Sequence, residues 1–283
     1  MPEVELRGAE VDGLTLHYVT EGRGPAVVLV HGLGGFAESW RHNIPALARV
    51  ATVFAVDLPG FGLSSKPPAR YRLADSARAL HGFIQAMGLE RIAVVGHSMG
   101  AAVGLTYALT HPARVERVAL LGGIVPGSGY RPSVPYRIAA TPLLGELVAL
   151  CGCAPLYRAA ISRCFHAPVA AEVEFLVGQS YKARTSPEAK AAYLMTLRDV
   201  RRDILEHAPD YRRALSTLDA PVLLIHGQQD GVVPATHSRE AAEVLPRARV
   251  RWIDGCGHFP QIEHAEVVNG WLTEFLVGRP APR

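Results

Sequence analysis

One stretch of the chain restricts its fold more than any other. Arg91–Gly104 reads Arg-Ile-Ala-Val-Val-Gly-His-Ser-Met-Gly-Ala-Ala-Val-Gly. Ile92–Val95 is a β-branched and apolar run, the composition of a strand buried on both faces. The small residues after Met99 open an apolar helix. Between them lies Gly96-His97-Ser98-Met99-Gly100, a G-x-S-x-G pentapeptide. In a strand-to-helix context this pattern raises a serine hydroxyl above a sheet on a sharp turn. A turn that tight brings its flanking backbones together, and a Cβ at position 96 or 100 would collide. The serine itself must take a sparsely populated backbone conformation, a strain concentrated at functional sites.

The rest of the chain supplies a sheet for this turn. Val4–Glu10 and Leu14–Thr20 alternate around Asp12-Gly13 and read as an antiparallel hairpin. Ala26–Val30, Thr52–Val56 and Val118–Leu121 are further short apolar runs, each ending in a glycine- or proline-containing loop. Helical patterns fall at Trp40–Val50, despite Pro45, at Leu73–Met87 and at Met99–Thr110. Strands alternating with helices give a parallel α/β sheet, whose ligands sit at the carboxyl ends of the strands. From Ile124 to Leu218 the pattern changes. No buried strand is expected, and helical segments near 136–150, 154–165, 168–183 and 187–206 read as an inserted helical cap. The strand pattern resumes at Pro221–Ile225 and Val250–Ile253, with helices at Thr236–Leu245 and Glu263–Leu276. The expected division is a core domain of residues 1–123 and 219–283 and a cap of residues 124–218.

Composition excludes several classes of function. The formal net charge is +3 with scattered basic residues, so no nucleic-acid footprint is expected. No apolar run has the length of a membrane span, and the N-terminus lacks the pattern of a signal peptide, so stable membrane insertion is not expected. Four cysteines in 283 residues make no disulfide framework, and a reducing, cytoplasmic location is the default expectation.

The chemistry is sought at the strand ends. A serine hydroxyl needs a base to take its proton, usually a histidine held by a carboxylate. In a sheet of this kind the order along the chain is serine, acid, histidine. The loop after 221–225 offers Asp230, and the glycine-rich loop Asp254–Pro260 offers His258. Ser98 is therefore the expected nucleophile, His258 the base and Asp230 the acid. The expected oxyanion donors are the backbone N–H groups of Met99 and Leu33. No cofactor and no metal are called for.

His31-Gly32, Asp57-Leu58-Pro59-Gly60-Phe61-Gly62-Leu63-Ser64, Gly96–Gly100, His226–Asp230 and Gly257-His258-Phe259 follow one another in the order of a known family. On these five motifs the chain resembles the α/β-hydrolase fold superfamily along essentially its whole length. The resemblance implies a mostly parallel central sheet of about eight strands, helices on both faces and a helical cap. Some members carry the acid after the strand corresponding to 118–121. Here that loop has no carboxylate before Glu146, which favours Asp230. Epoxide hydrolases and haloalkane dehalogenases of this fold carry aspartate where this chain has Ser98. The leading expectation is a serine hydrolase of small to medium apolar carboxylic esters. The alternatives are C–C hydrolysis of meta-cleavage-type vinylogous diketones, and lactone, thioester or perhydrolase chemistry. A ligand receptor on a hydrolase fold is the non-enzymatic alternative. The C–C hydrolases usually carry tryptophan where this chain has Phe259, and their cap arginine has a candidate in Arg198. The expected partner is a small-molecule ester, and the expected state a monomer or homodimer.

Other residues have plainer readings. Asp57 reads as a loop-fixing residue. His31, Gly32, His97 and Phe259 are candidates for the substrate pocket, with loop packing the usual role of such histidines. His264 and Asp254 compete with His258 and Asp230 but lack the matching strand-end placement. Cys151, Cys153 and Cys164 fit no zinc-binding spacing and read as buried cap cysteines. Cys256 reads as a small packing residue that confers sensitivity to thiol reagents. Leu143, Leu144 and Leu147 read as core.

Overall fold

The structure is a computed structural model that describes residues 2–8, 11–151, 153–183 and 186–278. Its centre is an eight-stranded sheet in the order β1-β2-β4-β3-β5-β6-β7-β8. The strands are β1 (Glu3–Glu5), β2 (Thr15–Gly22), β3 (Ala26–Val30), β4 (Thr52–Val56), β5 (Ile92–His97), β6 (Val115–Leu121), β7 (Val222–Gly227) and β8 (Ala248–Ile253). β1 and β2 form the expected antiparallel hairpin, closed by hydrogen bonds between Leu6 and Leu14 and between Gly13 and Leu6. β2 also runs antiparallel to β4, and all other pairings are parallel.

The apolar runs form these strands because both faces of the sheet are covered. Val28 and Val30 point into one core layer and Val27 and Leu29 into the other. The first layer packs on α2 (Leu73–Ala86) and α3 (Met99–Thr110), and the second on α1 (Ile44–Leu47) and α12 (Ala265–Val277). The helix expected over 40–50 is shorter. A 3₁₀ turn at Ala37–Trp40 precedes the single turn of α1, which begins one residue before Pro45. Proline lacks an N–H and its ring excludes a preceding helical turn, so the helix can start at this point but not run through it.

The strand order sets the position of the site. β3 lies between β4 and β5, so the chain leaves it to one side and returns on the other. Such a reversal opens a crevice beyond the carboxyl ends of the strands. Val30 is in register with Gly96, and His97 with Leu121. The loop after β3 and the turn after β5 therefore emerge side by side.

Among the described residues, six helices lie between β6 and β7: α4 (Val134–Ala140), α5 (Leu144–Cys151), α6 (Ala154–Ser162), α7 (Ala170–Ala183), α8 (Pro187–Glu206) and α9 (Ala208–Leu215). Ser186 caps α8 by accepting from the Ala189 N–H, with Pro187 at the first helical position. Leu143, Leu144 and Leu147 are not core as expected, for they are 83%, 48% and 57% exposed. Among the described residues nothing packs over these three side chains closely enough to bury them. The cap cysteines also differ from expectation: Cys153 is exposed at the start of α6 and Cys164 is half-buried. The side chain of Cys151 lies outside the described residues. The remaining helices are α10 (Thr236–Val244) and α11 (Pro260–Glu263). Among the described residues no helix is long and apolar enough to cross a membrane.

Candidate active site

Ser98 stands between β5 and α3 with φ 53° and ψ −119°, a left-handed conformation unusual for a residue with a side chain. The surroundings hold it there. Its N–H donates to the Leu121 carbonyl at 3.0 Å, and its own carbonyl accepts from Ala101 and Ile124. The two glycines have the steric role expected of them. A Cβ on Gly96 would lie 2.4 Å from the Gly100 oxygen, and one on Gly100 would lie 2.2 Å from the Val30 oxygen. The turn is not exposed, however, and Ser98 is buried beneath the inserted helices.

The two loops on the far side of the sheet reach this serine. The Ser98 hydroxyl donates to His258 Nε2 at 3.0 Å, and His258 Nδ1–H donates to Asp230 Oδ2 at 2.8 Å. The other carboxylate oxygen, Oδ1, accepts from the N–H groups of Val232 and Val233 at 2.8 and 2.9 Å. Burial works to raise the Asp230 pKa. The charge of His258 and the hydrogen bonds of His226 and His258 outweigh it and hold the carboxyl below the usual carboxylate range. The competing residues are placed elsewhere. Asp254 is exposed and bonds Gln229, and His264 donates to the Gly255 carbonyl.

Leu33 and Met99 line the same cavity as Ser98. Among the described residues neither N–H group is spent on a backbone acceptor. The loop that carries Leu33 is fixed by His31, whose Nδ1–H donates to the Gly32 carbonyl at 2.7 Å while Nε2 accepts from the Leu58 N–H at 3.0 Å. Both ring nitrogens are thus committed, and burial lowers the His31 pKa. His31 was a pocket candidate from the sequence, but it does not line the cavity. It sits behind the loop because its ring is the loop's internal brace. Gly32, His97 and Phe259 do line the cavity. His97 donates from Nε2 to the His258 carbonyl at 2.8 Å, and burial pushes its pKa down to about 3, so it stays neutral. Asp57 is the loop-fixing residue expected: it accepts from Ala37 and Leu63 N–H groups and from His17 Nδ1.

The cavity has a volume of about 410 Å³ and rises from Ser98 between the sheet and the inserted helices. Phe36, Ile124, Leu156 and Leu176 give it apolar walls. Lys190 and Arg201 also line it, and among the described residues no carboxylate does. The sequence reading missed these two cations. Their signal was a period: Lys190, Leu194, Leu197, Arg201 and Ile204 recur at intervals of four and three, one face of α8. Arg198, the candidate from sequence, points away and forms a two-pronged ion pair with Glu146. Cys164 lines the cavity as well, with its thiol pKa raised by burial to about 12. Cys256 is fully buried and its thiol is shifted further up, which removes the expected sensitivity to thiol reagents at this position. Among the described residues no cluster of three metal-ligating side chains occurs.

A serine bonded to an imidazole, with that imidazole held by a buried carboxylate, is the arrangement that makes a hydroxyl nucleophilic. The family model described as the alpha/beta hydrolase fold matches residues 25–146 and 174–265, which contain every one of these groups. The chain belongs to the α/β hydrolase fold family. It is a hydrolase of that family, and its relatives narrow the comparison. The chain is 31% identical over 280 residues to a 2-hydroxy-6-oxo-6-(2'-aminophenyl)hexa-2,4-dienoic acid hydrolase of Metapseudomonas resinovorans, covering 96% of this chain and 91% of that one. It is 32% identical to a 2-hydroxy-6-oxononadienedioate/2-hydroxy-6-oxononatrienedioate hydrolase of Paraburkholderia phymatum, with 93% and 91% covered. Among solved structures it is similar to the 2-hydroxy-6-oxo-6-phenylhexa-2,4-dienoate hydrolase of Rhodococcus sp. strain RHA1. The TM-score is 0.82 at 29% identity, with 93% of this chain and 95% of the other covered.

Proposed function

We propose that the protein hydrolyses a carbon–carbon bond in 2-hydroxy-6-oxo-dienoic acids, the vinylogous diketones formed when an aromatic ring is opened. This replaces carboxylic ester hydrolysis as the leading reading. The observation that carries it is the wall of the cavity: apolar over most of its area, with two cations and no carboxylate among the described residues. That lining suits an apolar chain ending in a carboxylate better than a neutral ester. The names of the relatives support the same substrate class.

In this reading residues 124–218 form the cap over the site. Lys190 and Arg201 lie about 16 Å apart along α8 at 1.5 Å per residue, so they address different stretches of the cavity. One of them pairs with the substrate carboxylate. Ser98 Oγ attacks the 6-oxo carbon and gives its proton to His258. The Leu33 and Met99 N–H groups receive the oxyanion. The bond breaks in the 2,6-diketo tautomer, in which the 2-hydroxyl proton has moved to C5 and the double bond lies at C3–C4. When the tetrahedral intermediate collapses, the C5–C6 electron pair is then delocalised through that double bond onto the 2-oxygen as a dienolate. His258 returns the proton to that fragment. Water then enters by the same base and releases the acid from Ser98. Asp230 fixes the tautomer of His258 and stabilises its cationic form throughout.

The test is a panel of 6-alkyl and 6-aryl 2-hydroxy-6-oxo-dienoates, followed by loss of their conjugated absorbance, beside p-nitrophenyl acyl esters. Faster consumption of the dienoates is expected. Ester cleavage with no consumption of any dienoate would return the assignment to ester hydrolysis.

A further inference from the structure

The triad acid has a second imidazole on it. His226 ends the apolar part of β7 and is fully buried. Its Nε2 lies 2.8 Å from the Val233 carbonyl and 3.2 Å from Asp230 Oδ2, the same oxygen that accepts from His258. A carbonyl oxygen only accepts, so Nε2 carries a hydrogen and shares it between the two oxygens. Its Nδ1 lies 2.6 Å from the hydroxyl of Ser238, which is itself buried in the first turn of α10. With Nε2 protonated in the neutral ring, the Ser238 hydroxyl donates to Nδ1. The titratable groups around the ring are Asp230 and, from α10, His237. Burial pushes His237 down to about 4, and its Nε2 accepts from the Val125 N–H, so His237 is neutral.

We propose that His226 is a positioning residue for the reaction: locked by Ser238 in the tautomer that bears hydrogen on Nε2, it holds Asp230 Oδ2 at the point where His258 Nδ1–H must meet it. The order of donation is Ser238 to His226 to Asp230, with His258 and Ser98 on the other side of the same carboxylate oxygen. The proposal rests on the reading of Ser98, His258 and Asp230 as the reacting groups.

Asp230 has two anchors with different tasks. The Val232 and Val233 N–H groups bind Oδ1 and fix the position of the carboxylate. They make no contact with Oδ2, which shifts whenever the carboxylate turns about its Cβ–Cγ bond or tilts on Oδ1. A second donor on Oδ2 removes that freedom. A hydrogen bond to a charged group is stronger than one between neutral groups, and deleting it frees the acceptor to swing. An imidazole held by a swinging carboxylate spends less time aligned with the serine.

The experiment measures the rate at which a fluorophosphonate labels Ser98 in the whole protein. This reads activation of the hydroxyl without reference to the natural substrate. His226→Phe and His226→Leu both delete the donor, one with an aromatic side chain and one with an aliphatic one. A loss common to both reports the hydrogen bond and not the packing. Each is expected to label about tenfold more slowly than wild type, in a protein that remains folded by circular dichroism. His226→Gln returns an N–H to the Nε2 position and is expected to recover most of the rate. Ser238→Ala leaves the ring in place and frees its tautomer, and should slow labelling about threefold. Wild-type labelling rates in folded His226→Leu and Ser238→Ala would overturn the proposal. So would a His226→Gln variant no faster than His226→Leu, because packing alone would then explain the loss. If the wild-type protein is not labelled at Ser98, the triad reading fails and the proposal falls with it. If Ser98 is labelled and no dienoate is consumed, only the substrate assignment fails.

Discussion

Replacing Gly100 by alanine adds one methyl group at the point where α3 meets β3. The added Cβ would lie 2.2 Å from the Val30 oxygen and 2.5 Å from the His31 oxygen. Both are main-chain atoms of a strand end and its loop, so neither can swing aside like a side chain. To restore ordinary contact, α3 must draw back from β3 by about 1 Å. Overpacking of this kind costs about 1–3 kcal/mol. The same displacement moves Ser98, which immediately precedes α3, away from His258 Nε2, now 3.0 Å distant, and from the Leu33 N–H. A misplacement of about 1 Å at a reacting group lowers rate on the order of a hundredfold. Gly178 provides the control. It lies on the exposed side of α7, and a Cβ there would meet nothing within 4 Å. Gly178→Ala should leave activity unchanged and raise helix stability by about 1 kcal/mol. Urea unfolding and fluorophosphonate labelling of Ser98 measure the two effects in each variant. A Gly100→Ala protein with wild-type stability and labelling rate would refute the argument, since it would mean the turn tolerates a Cβ.

Three further outcomes are expected. Asp230→Asn lowers turnover about ten-thousandfold in a folded protein, because an amide can hold His258 in the wrong tautomer; steady-state kinetics beside circular dichroism checks this. Asp57→Asn places an NH₂ group among N–H donors and costs about 3–5 kcal/mol at pH 5.5, since it breaks a buried pair with His17. The cost should fade at both ends of the pH scale. Burial works to raise the Asp57 pKa, but the His17 hydrogen bond and nearby donors hold it below its ordinary 3.8, so its contribution disappears as pH falls through the folded-state value. The Asp57 hydrogen bond raises His17 above 6.5, so its contribution is full below 6.5 and disappears as pH rises past the raised value. Urea titrations at pH 3, 5.5 and 9 follow the window; a cost independent of pH would contradict it. The double variant Lys190→Ala/Arg201→Ala raises the KM for a dienoate by about ten- to hundredfold and leaves that for a neutral p-nitrophenyl ester unchanged. Equal effects on both substrates would show that the cations shape the wall and do not bind a carboxylate.

The sequence by itself determined the sheet and the three groups at its edge. Buried parallel strands must be short and apolar, so Ala26–Val30 and Thr52–Val56 were legible to the residue. A turn with glycines two residues on either side of a serine has a single steric use, and strand ends are the places from which loops can reach it. Ser98, Asp230 and His258 followed from those constraints, and the geometry brings them within hydrogen-bond distance. Tertiary structure decided the rest, because those contacts join residues far apart in sequence. His31 became an internal brace because the Leu58 N–H arrives against its ring. Leu143 became exposed because none of the described residues covers that face of the insert. Arg198 was removed from the cavity by Glu146, and Lys190 and Arg201 entered it; their four-and-three spacing with Leu194, Leu197 and Ile204 marks one face of α8, and packing decided that this face meets the cavity. The serine on its tight turn could be read from fourteen residues. Which molecule that serine meets depends on the walls above it, and those are set by packing.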